Sequence, residues 1–236
     1  MNGGWQRFSS PSVVLTRTDL LTEARQLAAE IRKLKHPRYI AALDVYPEKL
    51  LGGSKTRALA ILKKAFAWSL QTLGNDAQPK RDWSLRITDT SINEALVQYI
   101  PDTGVLEMQR KTLEVFREVD MVVVAVHELA GHHMQESNVL IDGDRTYYMS
   151  ERTNTQEGCA MACERTLLTG PLERAGLEWK LYRTLRALED SGVTTAWDEF
   201  PEGHRMPRAY VRHFVEELPG RAQHYVFMAN DRFCEC

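Results

Sequence analysis

Apolar residues recur every three or four positions in two stretches of the N-terminal third, a spacing typical of amphipathic helices. The first stretch, 18–35, can be capped by Thr18 or Asp19 and ends before Pro37. The second, 54–73, is stopped by the turn sequence Gly-Asn-Asp at 74–76. The two apolar stripes consist of Leu20, Leu21, Ala24, Leu27, Ala28 and Ile31, and of Leu59, Leu62, Phe66, Leu70 and Leu73.

The pattern changes to period two in the next segment, which predicts β-strands. Polar and apolar residues alternate over 83–88, and the runs at 95–100 and 105–108 flank the turn signal Pro-Asp-Thr-Gly at 101–104. We therefore expect a small antiparallel sheet built on a hairpin.

Helical spacing returns in the rest of the chain. It predicts a long helix over about 111–135, helices over 150–168 and 171–191, and two short helices over about 207–218 and 219–230. The resulting fold class is α+β, mainly α. We expect residues 1–17 to form a flexible N-terminal tail, because 1–11 is polar and contains Gly and Ser, and residues 18–236 to form a single domain.

Composition narrows the range of partners. The 236 residues carry a formal net charge of -2, which does not favour nucleic acid as a partner. No apolar run is long enough to cross a bilayer, and the first residues lack the features of a signal peptide, so we expect a cytoplasmic protein without a membrane partner. Four cysteines are too few for a disulfide scaffold. The sequence leaves the oligomeric state open.

The segment 127–133, with the sequence HELAGHH, carries residues suited to metal-dependent hydrolysis. A catalytic zinc ion takes about three protein ligands and keeps one position open for water. Histidine nitrogens serve as ligands, and a carboxylate beside the first histidine can accept the proton of the water. Burying these polar groups without partners would be costly, and a shared metal ion would satisfy them together.

The spacing within this segment differs from that of the common His-Glu-x-x-His motif. His132 lies five residues after His127, which in a regular α-helix separates the two side chains by roughly 140°. A single wide helical turn would return both to one face, and Gly131, which has no Cβ, would make this distortion easier. His133 is the alternative ligand.

The next predicted helix offers a candidate for the third ligand, Glu157, although such a residue taken alone is more often a surface glutamate. Glu157 is followed by the small residues Gly158 and Ala160, which would let this helix approach the first one closely. Glu164 lies seven residues further on, on the same helix face, and can accept a hydrogen bond from a ligand histidine.

The two segments together resemble a known group of zinc peptidases. The pattern His-Glu-x-x-x-His, followed by Gln-Glu-Gly-Cys-Ala at 156–160, is similar to the signature of the microtubule-associated tyrosine carboxypeptidase family, whose bacterial relatives are named for a QEGLA motif. Cys159 stands where Leu is usual. A second resemblance is to a broad bacterial family with the motifs HExxPGHH, EGWA and PGQAxxY, to which GHH at 131–133, EGCA at 157–160 and PGRAQHY at 219–225 correspond.

The resemblance implies a gluzincin-like fold with a zinc-binding helix pair and one zinc ion per chain. It implies His127, His132 and Glu157 as zinc ligands and Glu128 as the general base. Donors to the developing oxyanion would be Tyr225, which matches the tyrosine of the third motif, or else His224.

A carboxypeptidase also needs a cation for the terminal carboxylate of its substrate, and arginine provides a bidentate fork. The candidates near the third motif are Arg221, Arg212 and Arg208. Tyr148, between the two metal-binding helices, either lines the pocket or packs against it.

The function that these residues favour is a zinc carboxypeptidase acting on a peptide or protein C-terminus, with an aromatic preference implied by the resemblance alone. An aminopeptidase, an endopeptidase or a small-molecule amidase remains an alternative. A non-catalytic regulatory module stabilised by zinc is the third possibility. A structural zinc site, however, needs no base and usually closes all four metal positions.

Overall fold

The computed structural model of this chain describes residues 16–74, 79, 81–89, 96–139, 149–193 and 196–203. The helices are α1 (Arg17–Lys33), α2 (Lys55–Thr72), α3 (Arg110–Val115), α4 (Glu118–Val124), a π-helix (Ala125–His133), α5 (Met134–Val139), α6 (Met149–Leu167), α7 (Glu173–Asp190) and α8 (Ala196–Glu199). Short 3-10 turns at Gly170–Leu172 and Pro201–Gly203 precede α7 and follow α8. The strands are β1 (Ser84–Thr88), β2 (Val97–Ile100) and β3 (Val105–Gln109).

The first two helices begin at side-chain caps. Ser54 caps α2 by accepting a hydrogen bond from the backbone N–H of Arg57. The cap of α1 is Thr16, two residues before the earlier of the two expected caps. Its hydroxyl accepts from the N–H of Asp19, and the Asp19 carboxylate accepts from the N–H of Thr16. This reciprocal pair satisfies two backbone donors, which explains why the helix starts there.

The three strands form a mixed sheet in the order β1-β3-β2, which corrects the prediction of an antiparallel one. The hairpin of β2 and β3 is antiparallel as expected, but β1 runs parallel to β3. The parallel pairing sets Leu85 beside Leu106, and both side chains are buried. Pairing across such a distance in the chain depends on this shared burial, which local alternation does not encode.

The long helix predicted over 111–135 is interrupted at Phe116 and Arg117. The carbonyl of Phe116 accepts from the N–H of Leu51, and the N–H of Glu118 donates to the carbonyl of Lys49. These backbone groups therefore bond to the segment before α2 instead of continuing the helix. α4 then starts afresh, with the Asp120 carboxylate accepting from the N–H of Arg117 at 2.7 Å.

In the part of the chain that the structure describes, the buried apolar side chains form two clusters. The larger one joins α2, the sheet, α4 and the π-helix, and all of 119 and 121–126 is buried in it. The smaller one joins α1 to α7 and α8. The structure is mainly helical with one small sheet, in agreement with the predicted class. Among the described residues, no helix has both the length and the apolar character needed to cross a membrane.

Candidate metal centre

The wide helical turn expected from the histidine spacing is present as the π-helix Ala125–His133. In a π-helix each N–H bonds to the carbonyl five residues earlier, so side chains five positions apart share a face. His127 and His132 accordingly point to one place, and their Nε2 atoms lie 3.2 Å apart. The preceding α4 is buried along its whole length, so the chain enters the π-helix from within the core.

Helix α6 brings Glu157 to the two histidines. Its Oε2 lies 3.4 Å from His127 Nε2, and its Oε1 lies 3.5 Å from His132 Nε2. Ligand atoms of the three residues lie within 4.8 Å of one another, so the group could hold a metal ion.

The close approach of α6 to the π-helix depends on Gly131. A Cβ at this position would lie 2.6 Å from the Cα and 2.7 Å from the Cβ of Ala160. Such distances are far below van der Waals contact, so only glycine permits this packing. Gly131 thus allows the helices to meet, a role in addition to the local flexibility expected from the sequence.

A buried carboxylate orients His127 from behind. Glu164 Oε1 lies 2.8 Å from His127 Nδ1, as the sequence predicts for a carboxylate two turns after Glu157. Arg183 on α7 contacts both oxygens of Glu164, at 3.0 and 2.5 Å. With Nδ1 donating to Glu164, Nε2 is the nitrogen of His127 that would bind a metal ion in place of a proton.

The carboxylates around His127 favour a positive charge at its position. Burial by itself raises the pKa of Glu164, but the charge of Arg183 and the contact with His127 outweigh it and lower the pKa to about 2. Burial also disfavours a charged His127, yet hydrogen bonds to Glu157 and Glu164 overcome this and raise its pKa to about 10. The carboxylates therefore create a position that demands a cation, which a metal ion would satisfy.

The backbone of strand β2 holds Glu128. Its Oε2 accepts a hydrogen bond from the N–H of Tyr99 at 2.8 Å. Burial is the largest influence on this carboxyl group and raises its pKa to about 7, although nearby His127 and the Tyr99 N–H act in the opposite direction. A carboxyl group with a pKa near neutrality can both accept and release a proton.

His133, the alternative ligand, points away from this cluster. It is fully buried, and its Nδ1 lies 2.9 Å from the hydroxyl of Tyr99. The rings of Phe66 and Tyr99 pack edge-on against it, with centroids at 5.7 and 5.2 Å. Burial, with a further contribution from the charge of Arg81, lowers its pKa to about 4. The structure therefore assembles His132, and not His133, with His127 and Glu157.

Two residues of the site have no signal in the sequence. Tyr99 reaches Glu128 through a backbone group, which places no demand on its residue type, and Arg183 lies in a helix otherwise recognisable only by its leucine stripe. The expected oxyanion donors and substrate-binding residues lie outside the described residues: Tyr225, His224, Arg221, Arg212, Arg208 and Tyr148. So do residues 1–15 and the helices predicted over 207–218 and 219–230.

Comparison of the chain with protein-family models, with curated proteins and with solved structures found no match.

Proposed function

We propose that this protein is a zinc-dependent peptidase that hydrolyses peptide bonds at the site formed by His127, His132, Glu157 and Glu128. The single observation that carries the proposal is the convergence of two imidazole nitrogens and one carboxylate, with Glu128 near enough for the charges of His127 and Glu157 to shift its pKa. We further propose that it acts as a carboxypeptidase on a peptide or protein C-terminus, a specificity that rests on the motif resemblance.

The spacing of the donor atoms supports zinc as the metal. Ligands at about 2.0 to 2.1 Å from a tetrahedral zinc ion lie about 3.3 to 3.4 Å from one another. The two imidazole nitrogens lie 3.2 Å apart, and Glu157 presents one carboxylate oxygen to each of them, at 3.4 Å from His127 and at 3.5 Å from His132. Two imidazoles and one carboxylate also suit zinc better than calcium or magnesium, which prefer oxygen ligands.

The presence of Glu128 supports a catalytic site over a structural one. Structural zinc sites close all four positions with protein ligands, whereas catalytic sites use three and leave one for water. Three such ligands converge among the described residues. Glu128 follows the first of them directly in the chain, where a structural site would need no carboxylate.

The side chains suggest how hydrolysis would proceed. A zinc ion bound here would act as a Lewis acid that lowers the pKa of a water molecule and polarises the scissile carbonyl. Glu128 accepts a proton from the water molecule while the oxygen of that water forms a bond to the carbonyl carbon. It then delivers the proton to the leaving nitrogen as the carbon–nitrogen bond breaks. Glu164 keeps His127 in one orientation throughout, because it holds Nδ1 from the side remote from the reaction.

Strand β2 supports an extended peptide as the substrate. It lies at one edge of the sheet. In an antiparallel pair, every second residue of a strand bonds to its partner strand. Because the N–H of Gln109 donates to the carbonyl of Leu96, the residues of β2 that bond to β3 are Gln98 and Ile100. The backbone groups of Val97 and Tyr99 therefore face away from β3, on the edge where the Tyr99 N–H meets Glu128. Because the Tyr99 N–H already donates to Glu128, a peptide added along this edge would pair with Val97 and lie beside the base.

The first experiment combines zinc analysis with peptide hydrolysis. Wild type should contain about one zinc per chain, from the ligand count of a mononuclear site, and should cleave peptides. Glu128→Gln should keep the zinc and lose activity, while Glu157→Ala should lose zinc retention. Glu114→Gln, a matched change on an exposed position of α3, should alter neither. Freshly purified wild type without zinc, or an active Glu128→Gln variant, would refute the proposal.

A second experiment separates the peptidase classes. One peptide is offered with both ends free, with an amidated C-terminus and with an acetylated N-terminus. A carboxypeptidase cleaves the free and the acetylated forms but not the amidated one. Cleavage of the amidated but not the acetylated form would identify an aminopeptidase, and cleavage of all three at an internal bond would identify an endopeptidase.

A further inference from the structure

We infer that the Tyr99–His133 contact is a positioning device that holds strand β2 against the π-helix, so that the Tyr99 N–H fixes the base Glu128. The inference rests on the proposed function, because it assigns a role within that reaction. It gives the second histidine of the His132-His133 pair a purpose other than metal binding.

The two adjacent histidines lie on different faces of the π-helix. His132 points to His127 and Glu157. His133 points into the core, where Phe66 on α2 packs against one side and Tyr99 on β2 contacts another. Its position between two elements makes it a point of attachment for the strand.

Tyr99 contacts the π-helix at two places. Its hydroxyl lies 2.9 Å from His133 Nδ1, and its backbone N–H lies 2.8 Å from Glu128 Oε2. The side chain is only 8% exposed, so this hydrogen bond is shielded from water. Glu128 and His133 are five residues apart, which is one turn of the π-helix. The tyrosine therefore spans one turn and sets the height of the strand along it.

Among the described residues, β2 pairs with one strand, β3, and is four residues long. Its contacts with the π-helix, through the backbone and the hydroxyl of Tyr99, fix its position relative to that helix. If β2 shifts, the Tyr99 N–H leaves Glu128, and a base displaced by about 1 Å can lower a rate by about 100-fold.

The test uses Tyr99→Phe, His133→Phe and the double variant, each of which keeps an aromatic ring in place. Tyr46→Phe removes a hydroxyl from an exposed ring and serves as the matched control. Each single variant should lower kcat roughly 10- to 100-fold, with KM and zinc content unchanged. The double variant should fall no further than the single ones, because all three remove the same contact.

Hydrogen–deuterium exchange of the peptide covering 96–100 provides a readout that needs no activity. Exchange should be faster in both single variants than in wild type and in the Tyr46→Phe control. Unchanged kcat, effects that multiply in the double variant, or losses that follow loss of zinc would overturn the inference. If wild type cleaves no peptide, the proposed function fails and the exchange experiment alone tests the Tyr99–His133 contact. Unchanged exchange would then overturn its role in holding β2, and faster exchange would support it.

Discussion

Replacing Glu164 with glutamine should weaken zinc binding without touching a zinc ligand. Glu164 accepts from His127 Nδ1 at 2.8 Å and is held by both terminal nitrogens of Arg183. Loss of such an outer partner typically lowers metal affinity by about 10- to 100-fold, equivalent to roughly 1.4 to 2.7 kcal/mol. A glutamine amide can present its nitrogen to His127 or its oxygen to Arg183, but it cannot reproduce the charge of the carboxylate.

The same substitution should also destabilise the fold, which must be separated from the effect on zinc. Glu164 and Arg183 are each only 7% exposed, so Glu164→Gln leaves a buried cation without its charge partner. Breaking a buried pair in this way costs about 3 to 5 kcal/mol. Replacing both residues with methionine removes the unpaired charge, and such apolar replacements are often neutral for stability. The double variant should therefore regain stability but still bind zinc weakly.

Competition with a chelating dye measures zinc affinity, and urea denaturation of the metal-free protein measures stability. Glu178→Gln is a matched control, because Glu178 is another buried glutamate on a helix, paired with Arg117 and Arg174. It should lower stability and leave zinc affinity unchanged. Zinc affinity within about threefold of wild type in the Glu164/Arg183 double methionine variant would refute the role of Glu164, since the effect expected is at least about tenfold.

Two further predictions concern packing and acid stability. Gly131→Ala should separate α6 from the π-helix, because the new Cβ would lie 2.6 Å from Ala160 Cα. We expect this overpacking to lower the free energy of unfolding by about 1 to 3 kcal/mol. Competition with the dye should also show weaker zinc binding. Gly176→Ala, where the new Cβ would lie 2.9 Å from Leu168 Cβ, should destabilise the fold without changing zinc affinity. Equal zinc losses in both variants would contradict the first prediction. For acid stability, burial tends to raise the pKa of Glu178, but His36, Arg117 and Arg174 outweigh it and lower the pKa to about 2. Glu178 therefore contributes stability above about pH 4.5 that is lost as the pH falls towards 2. In urea titrations, the difference in unfolding free energy between wild type and Glu178→Gln, roughly 3 kcal/mol at neutral pH, should shrink over that range. A difference that stays constant would disprove the prediction.

The parts of the site that local chemistry dictates were predictable from sequence. Five-residue spacing between two histidines on a buried helix allows a shared metal only if the helix widens, and the π-helix has that shape. Glu164 was predictable because it lies two turns after Glu157 and a ligand histidine needs an acceptor. The start of α2 followed in the same way from Ser54.

The parts that depend on distant segments were not predictable. The segment 110–117 contains no Gly or Pro. At the break, the carbonyl of Phe116 and the N–H of Glu118 bond to the backbone of Leu51 and Lys49, far away in the sequence. The parallel position of β1 likewise reflects pairing between 84–88 and 105–109, which no alternation pattern specifies. The role of Tyr99 was not predictable for the same reason, because its backbone N–H contacts Glu128, which lies 29 residues later in the sequence.

These long-range contacts explain how the unusual helix keeps its shape. A π-helix is rare, because its wide turn is less stable than a regular one, so the protein around it must stabilise it. At its N-terminal side, Glu118 is fully buried and contacts Arg57 at 2.7 Å and Lys49 at 3.3 Å, which fixes the start of α4. On one face Gly131 lies against Ala160, and on another His133 contacts Tyr99. Because contacts on several sides determine the turn, the donor atoms at its centre are positioned by packing, and a metal ion would bind with little rearrangement.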